Sequence, residues 1–218
     1  MASRQAPASN PLIVPIRSLE PADRDRILKH LLALSTNDRY LRFGYMASDE
    51  QVGRYVEGLD FERDQVLGIF NRRLDLLAVA HLAYAGGDVC HACAEFGVSV
   101  LKRARGRGYG TRLFERAVVH ARNEGVELLF IHALSENAAM LKIARKAGAT
   151  LERDGSETEA YLRLPPATLD SRIGELLDEQ VARTDYQLKL QARRFRDFLA
   201  DLQEVRRGVR EGRHKSGA

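Results

Sequence analysis

Apolar positions along the chain follow two rhythms, strict alternation and three-to-four spacing, which change places repeatedly before residue 164. LIVPIR (Leu12 to Arg17) is β-rich, and ADRDRILKHLLAL then sets Ile27, Leu28, Leu31 and Leu32 at helical spacing. A second helix is predicted from Ser48, whose spacing to Gln51 is that of a capping box, with Val52, Tyr55 and Val56 turned inward. QVLGIF (Gln65 to Phe70), a turn at Asn71 to Arg73 and LDLLAVAHLAYA (Leu74 to Ala85) read as a hairpin. After a turn at Gly86 to Asp88, ACAEFGVSVL (Ala92 to Leu101) is a further strand, and the helix behind it buries Leu113, Phe114, Ala117, Val118 and Ala121. LLFIHAL (Leu128 to Leu134) is apolar enough for a central strand. SENAAMLKIARKAGA carries a stripe of Met140, Ile143, Ala144 and Ala147, and a last strand pair brackets DGSE before Pro165 and Pro166.

The expected order is β-α-α-β-β-β-α-β-α-β-β: one α/β domain over residues 12–164, a mixed sheet with helices on both faces. Residues 1–11 are expected to be a disordered leader and 211–218 a disordered basic tail. Between them, residues 167–210 are expected to form one long amphipathic helix capped by Asp170 or Ser171. With Val181 at an a position, Leu188, Phe195, Leu202 and Val209 are also a, and Leu177, Phe198 and Val205 are d; Thr184 and Gln191 interrupt the seam. Self-association as a homodimer is the favoured expectation, against folding back on the sheet or delivering a basic tail to nucleic acid or membrane.

Composition narrows the classes. The chain has 218 residues, 44% hydrophobic and 29% charged, and no apolar run approaches the ~18 residues of a membrane span. MASRQAPASNPLIVPIR lacks the apolar block of a secretory signal, so a cytoplasmic protein is expected. The net charge of +4 comes from residue 191 onward; residues 1–190 hold 26 basic and 26 acidic side chains, which argues against a nucleic-acid surface on the folded body. Cys90, His91 and Cys93 spell CHAC, but a zinc site needs four ligands and no second cysteine pair exists; no metal is expected.

The chemistry concentrates in RARGRGYGTRLFERA (Arg103 to Ala117), where arginines alternate with glycines at a strand-to-helix turn. Such a turn offers unpaired amides and the positive end of a helix dipole, and glycines admit a phosphate close to the backbone. A dinucleotide GxGxxG fails at Thr111 or Leu113, and no glycine is followed by lysine as an NTP loop requires.

The pattern that fits is [Q/R]xxGx[G/A], read at Arg105, Gly106, Arg107, Gly108, Tyr109 and Gly110, after a VxV strand at Val98, Ser99 and Val100. Here the sequence resembles the GNAT superfamily of acyl-CoA-dependent N-acetyltransferases, and Asn137 with KAGA (Lys146 to Ala149) continues the likeness. The resemblance implies a mostly antiparallel sheet with one splayed parallel strand pair, and acetyl-CoA as co-substrate. It implies that amides from Arg105 to Thr111 hold the pyrophosphate, that Val98 and Val100 bond the pantetheine backbone-to-amide, and that Asn137 contacts that arm; as a bare residue Asn137 reads as a helix cap. Glu95, on the polar side of its strand, is the candidate general base, which partial burial would strengthen, or else a solvent-facing glutamate. His132 is a second base or relay, or a core histidine held by hydrogen bonds. The family's acidic tyrosine falls at Ala144, so a catalytically weak acyl-CoA-binding module stands as the alternative to an enzyme. NDRYLRFGY resembles a segment of bacterial protein-lysine acetyltransferases; Tyr40, Arg42 and Phe43 are the candidate contacts for a small-molecule amine or protein lysine, with Arg39 beside them.

Overall fold

The computed structural model describes residues 14–85, 92–155 and 157–215, with the backbone alone for 154, 157 and 194–215. A short β1 (Arg17–Ser18) leads through a 3-10 turn (Pro21–Asp23) into three helices, α1 (Arg24–Leu32), α2 (Thr36–Phe43) and α3 (Asp49–Glu57). Then follow β2 (Gln65–Phe70), β3 (Leu76–Tyr84), β4 (Cys93–Val100), a second 3-10 turn (Lys102–Ala104), α4 (Tyr109–Asn123), β5 (Leu128–Leu134), α5 (Ala138–Lys146), β6 (Thr150–Asp154), β7 (Glu157–Arg163) and α6 (Leu169–Lys215). The sheet order is β1-β2-β3-β4-β5-β7-β6, antiparallel throughout except for the β4–β5 pair.

Alternation in the strands divides the core in two. Leu82, Phe96, Leu129 and Ile131 point to α4 and α5, where Phe96 meets Phe114 edge-on at 5.1 Å. Val66, Leu76 and Val79 point the other way, to Ile27 and Leu31 of α1 and Val52 and Val56 of α3. The capping box of α3 forms as its spacing predicts: Ser48 Oγ accepts from the Gln51 amide, and the Ser48 amide donates to Gln51 Oε1 at 2.9 Å.

Three expectations are corrected. The helix α2 is additional; TNDRYLRF has too little apolar content to show a stripe, and Ser35, whose Oγ accepts from Asp38 N, is what starts it. The first strand is shorter and later than Leu12 to Arg17, whose first two residues lie outside the described ones, as do the leader, Cys90 and His91. Finally, α6 is capped by Thr168 rather than Asp170 or Ser171: Thr168 Oγ1 accepts from the Ser171 amide at 3.2 Å, and Ser171 Oγ accepts from the Thr168 amide.

The docking of α6 inverts what its pattern suggests, because its polar side lies on the domain. Asn123 Nδ2 donates to Glu175 at 2.6 Å, His120 Nδ1 meets the same carboxylate at 2.6 Å, and buried Arg116 donates to the Glu175 carbonyl at 3.1 Å. Farther along, Ala182 is buried, and Tyr186 stacks edge-on to Phe70 with the Arg17 guanidinium 4.1 Å from its ring centre. Leu169, Ile173, Leu176, Leu177, Val181 and Leu188 face outward, each more than half exposed. The a and d residues from Phe195 onward lie where side chains are not described.

Candidate functional site

The site arises where β4 and β5 part. They pair through Cys93↔Leu128, Ala94↔Leu129 and Glu95↔Phe130 only; beyond that rung β4 continues with β3 and β5 with β7. The facing edge of β4 past Glu95 therefore has no strand to bond, and its backbone groups are open to an extended ligand arm. A cavity of about 730 Å³ fills the divergence, lined by Val98 and Val100 on one side and by His132 and Leu134 on the other.

One end of the cleft is closed by the loop into α4. Gly106 and Gly108 have φ of +76° and +75°, left-handed values that cost a side-chain-bearing residue about 1–2 kcal/mol, and a Cβ on either would meet no heavy atom within 4 Å. Gly108 is the N-cap of α4 and provides no side-chain cap, so the first-turn amides point unsatisfied towards the cleft, which Tyr109, Gly110 and Thr111 line. Such a turn accommodates an anion such as a pyrophosphate.

Of Arg103, Arg105 and Arg107, only Arg105 lines the cleft. Its guanidinium pairs with Asp38 at 2.5 Å and its Nε donates to Val100 O at 3.3 Å, tying the loop to α2. Burial works against ionisation of Asp38, but the bonds from Arg105 and Ser35 outweigh it and hold the carboxyl below its ordinary value. Arg107 is exposed and does not line the cleft, and Arg103 turns away towards Asp75.

Glu95 lies at the last parallel rung and lines the cleft, but it is exposed; the partial burial expected of it is not there. His132 is likewise exposed rather than locked in the core, stacked parallel to Phe130 with Nδ1 3.5 Å from Glu159. Asn137 is the helix cap its bare sequence reading foresaw, Oδ1 accepting from Met140 N at 3.1 Å, and it also lines the cleft, with Nδ2 donating to Leu41 O. Ala144 is fully buried, while Lys142, Ile143 and Lys146 around it line the cleft.

Arg42 and Phe43 of α2 line the cleft beside Glu95 and Gly97, while Tyr40 does not. Arg39 is a brace, paired with Asp49 at 2.6 Å and donating to the Leu32 carbonyl. Arg42 ends a chain of polar groups that the sequence reading missed: it donates to Tyr55 Oη at 2.8 Å, which is 2.8 Å from His81 Nδ1, whose Nε2 is 2.9 Å from Asp64. Burial and then the Arg42 charge lower the His81 pKa, against Asp64, so the neutral ring donates from Nε2 and accepts from the tyrosine. Burial also raises the Tyr55 pKa. The available signal was His81 itself, a titratable residue inside the apolar run LLAVAHLAY. A Cβ at Gly97 would stand 2.7 Å from the Arg42 guanidinium carbon, so a side chain there would displace that guanidinium.

Comparison with known proteins agrees with this geometry. The GNAT domain of S. lividans PAT superposes with a TM-score of 0.59 at 23% identity, covering 68% of this chain and 89% of that one. The yncA protein of Salmonella typhimurium, solved with its cofactor acetyl-CoA, gives 0.55 at 17% identity over 71% of this chain and 96% of that one. Spermidine N-acetyltransferase from Vibrio cholerae, in complex with CoA and spermine, gives 0.51 at 16% identity over 68% and 94%. These likenesses establish the fold, and the acetyltransferase (GNAT) domain model matches residues 14–150. With its splayed strand pair and glycine turn, the chain belongs to the GNAT acetyltransferase family.

Proposed function

We propose that the protein is an N-acetyltransferase that moves an acetyl group from acetyl-CoA to an amine, by direct attack with both substrates bound. The observation that carries this reading is the β4–β5 divergence ending in two left-handed glycines at the start of α4. Amides from Arg105 to Thr111 take the pyrophosphate, the open edge at Val98 and Val100 takes the pantetheine arm, and Asn137 borders it. The amine nitrogen attacks the thioester carbonyl carbon; a C–N bond forms, the C–S bond breaks and CoA leaves as thiolate. Glu95, directly or through water, removes the proton from the nitrogen, with His132 as a second proton acceptor, and water protonates the thiolate. Arg42 and Phe43 border the acceptor, a small amine or a protein lysine.

One observation supports a second reading, a weakly active acyl-CoA-binding module: buried Ala144 stands where the resemblance expects the tyrosine that protonates the thiolate. Release of CoA thiol across an amine panel separates the two, with activity expected and inertness across the panel favouring the module. Glu95→Gln should lower turnover by roughly 10²-fold with acetyl-CoA binding unchanged. An unaltered pH–rate profile would remove Glu95 from the chemistry. We also infer a cytoplasmic homodimer in which the outward stripe of α6, including Leu177, Val181 and Leu188 at heptad positions, packs on the same stripe of a second copy.

A further inference from the structure

A second cavity, of about 520 Å³, lies between α1, the turn joining β2 to β3, the 3-10 turn Lys102–Ala104 and α6, and among the described residues it shares no lining with the acyl-CoA cleft. Five cations from four separate elements surround it among the described residues: Arg26 and Lys29 one helical turn apart on α1, then Arg73, Arg103 and Arg193. Among the described residues Asp75 is the single carboxylate in its lining, and Asn71 Nδ2 already donates to it at 2.9 Å. Arg26 is matched by Asp23 at 2.9 Å, whereas Arg103 stands 3.9 Å from Asp75. Lys29 and Arg73 have no carboxylate within salt-bridge distance among the described residues. This concentration does not follow from general basicity, because residues 1–190 carry equal numbers of both signs. Like charges converging on one hollow repel one another, and a bound anion removes the repulsion.

The remaining walls suit an organic ligand. Leu74, Leu76 and Leu101 give an apolar floor. Leu74 holds φ of +62°, a left-handed conformation costly for leucine, fixed by its amide bond to Asn71 O at 3.1 Å. His30 contributes shape without charge. Burial first, and then the charges of Arg103 and Arg42, lower its pKa to about 4 despite the bond to Leu76. Its Nδ1–H donates to Leu76 O at 3.0 Å, and its Nε2 accepts from Ser99 Oγ at 2.9 Å. The volume is within the range of small-molecule sites, and the charge count exceeds what one phosphate would need.

We propose that this cavity binds a small polyphosphorylated molecule, held by Lys29, Arg73 and Arg103 and distinct from the acyl-CoA. The proposal stands on the cavity alone and not on the transferase reading. Its test is calorimetric titration of the full chain with inorganic tripolyphosphate at about 0.15 M salt, where surface charge is largely screened. One equivalent should bind, equally well with and without saturating CoA. Arg73→Glu and Lys29→Glu, both exposed and so harmless to folding, should each weaken that binding by about tenfold or more. Their melting temperatures without ligand should equal that of the parent. Displacement of tripolyphosphate by CoA would overturn the proposal, since the cavity would then serve the phosphates of CoA itself. Binding that ignores both substitutions, or no binding, would overturn it equally, even if CoA does not bind.

Discussion

Replacing Gly108 by Asp separates what the α4 loop does for the fold from what it does for a ligand. At φ +75° a residue with a side chain costs about 1–2 kcal/mol, with Asp at the low end because its short polar chain tolerates that region. A Cβ there meets nothing within 4 Å, so no steric penalty is added. For a protein of this size each kcal/mol shifts the melting temperature by about 2–4 °C, so the ligand-free variant should melt only about 2–6 °C below the parent. In the proposed binding mode the same open space is where a phosphate approaches the amides. Acetyl-CoA at about a hundredfold excess over its dissociation constant stabilises the native state by about 2.7 kcal/mol, or roughly 5–10 °C. The introduced carboxylate repels the pyrophosphate, so Gly108→Asp should lose that shift, while Gly108→Ala, with a somewhat larger backbone cost but no charge, should keep part of it. Differential scanning fluorimetry with and without acetyl-CoA reads all three proteins. A full shift in Gly108→Asp would refute the placement of the pyrophosphate.

The clasp on α6 gives a pH signature. Burial of Glu175 opposes ionisation, but bonds from His120 and Asn123 and the Arg116 charge outweigh it and depress its pKa below the ordinary 4.5. A depressed carboxylate pKa stabilises the fold above the unfolded value, and the contribution is lost as pH falls through the folded value. Glu175→Gln should cost about 1–2 kcal/mol at neutral pH and flatten the melting-temperature profile below about pH 4.5; a variant with the parent's profile would dismiss the clasp. For the outer stripe of α6, Leu177→Glu with Val181→Glu should convert a dimer to a monomer by light scattering without changing the acetyl-CoA response. A parent that is already monomeric would end the dimer reading.

Local chemistry carried much of the structure in the chain itself. Short apolar runs such as QVLGIF and LLFIHAL coincide with β2 and β5, because a strand inside the sheet is covered on both faces. The capping box at Ser48 and the glycines at 106 and 108 were legible because they answer backbone requirements that few residues meet. Tertiary structure decided what depended on distant partners. Whether Glu95 is buried was set by the parting of β4 and β5, which leaves it exposed. Two loop arginines took their directions from distant carboxylates: Asp38 holds Arg105 at the cleft, while Arg103 lies by Asp75 at the other cavity. Tyr55, His81, Asp64 and Arg42 come from four elements, so no spacing along the chain could join them. Nor could periodicity tell which side of α6 would dock. A helical stripe reports that a surface exists, but the buried Arg116 of α4 needed a carboxylate, and it turned the Glu175 side inward and left the leucines outside.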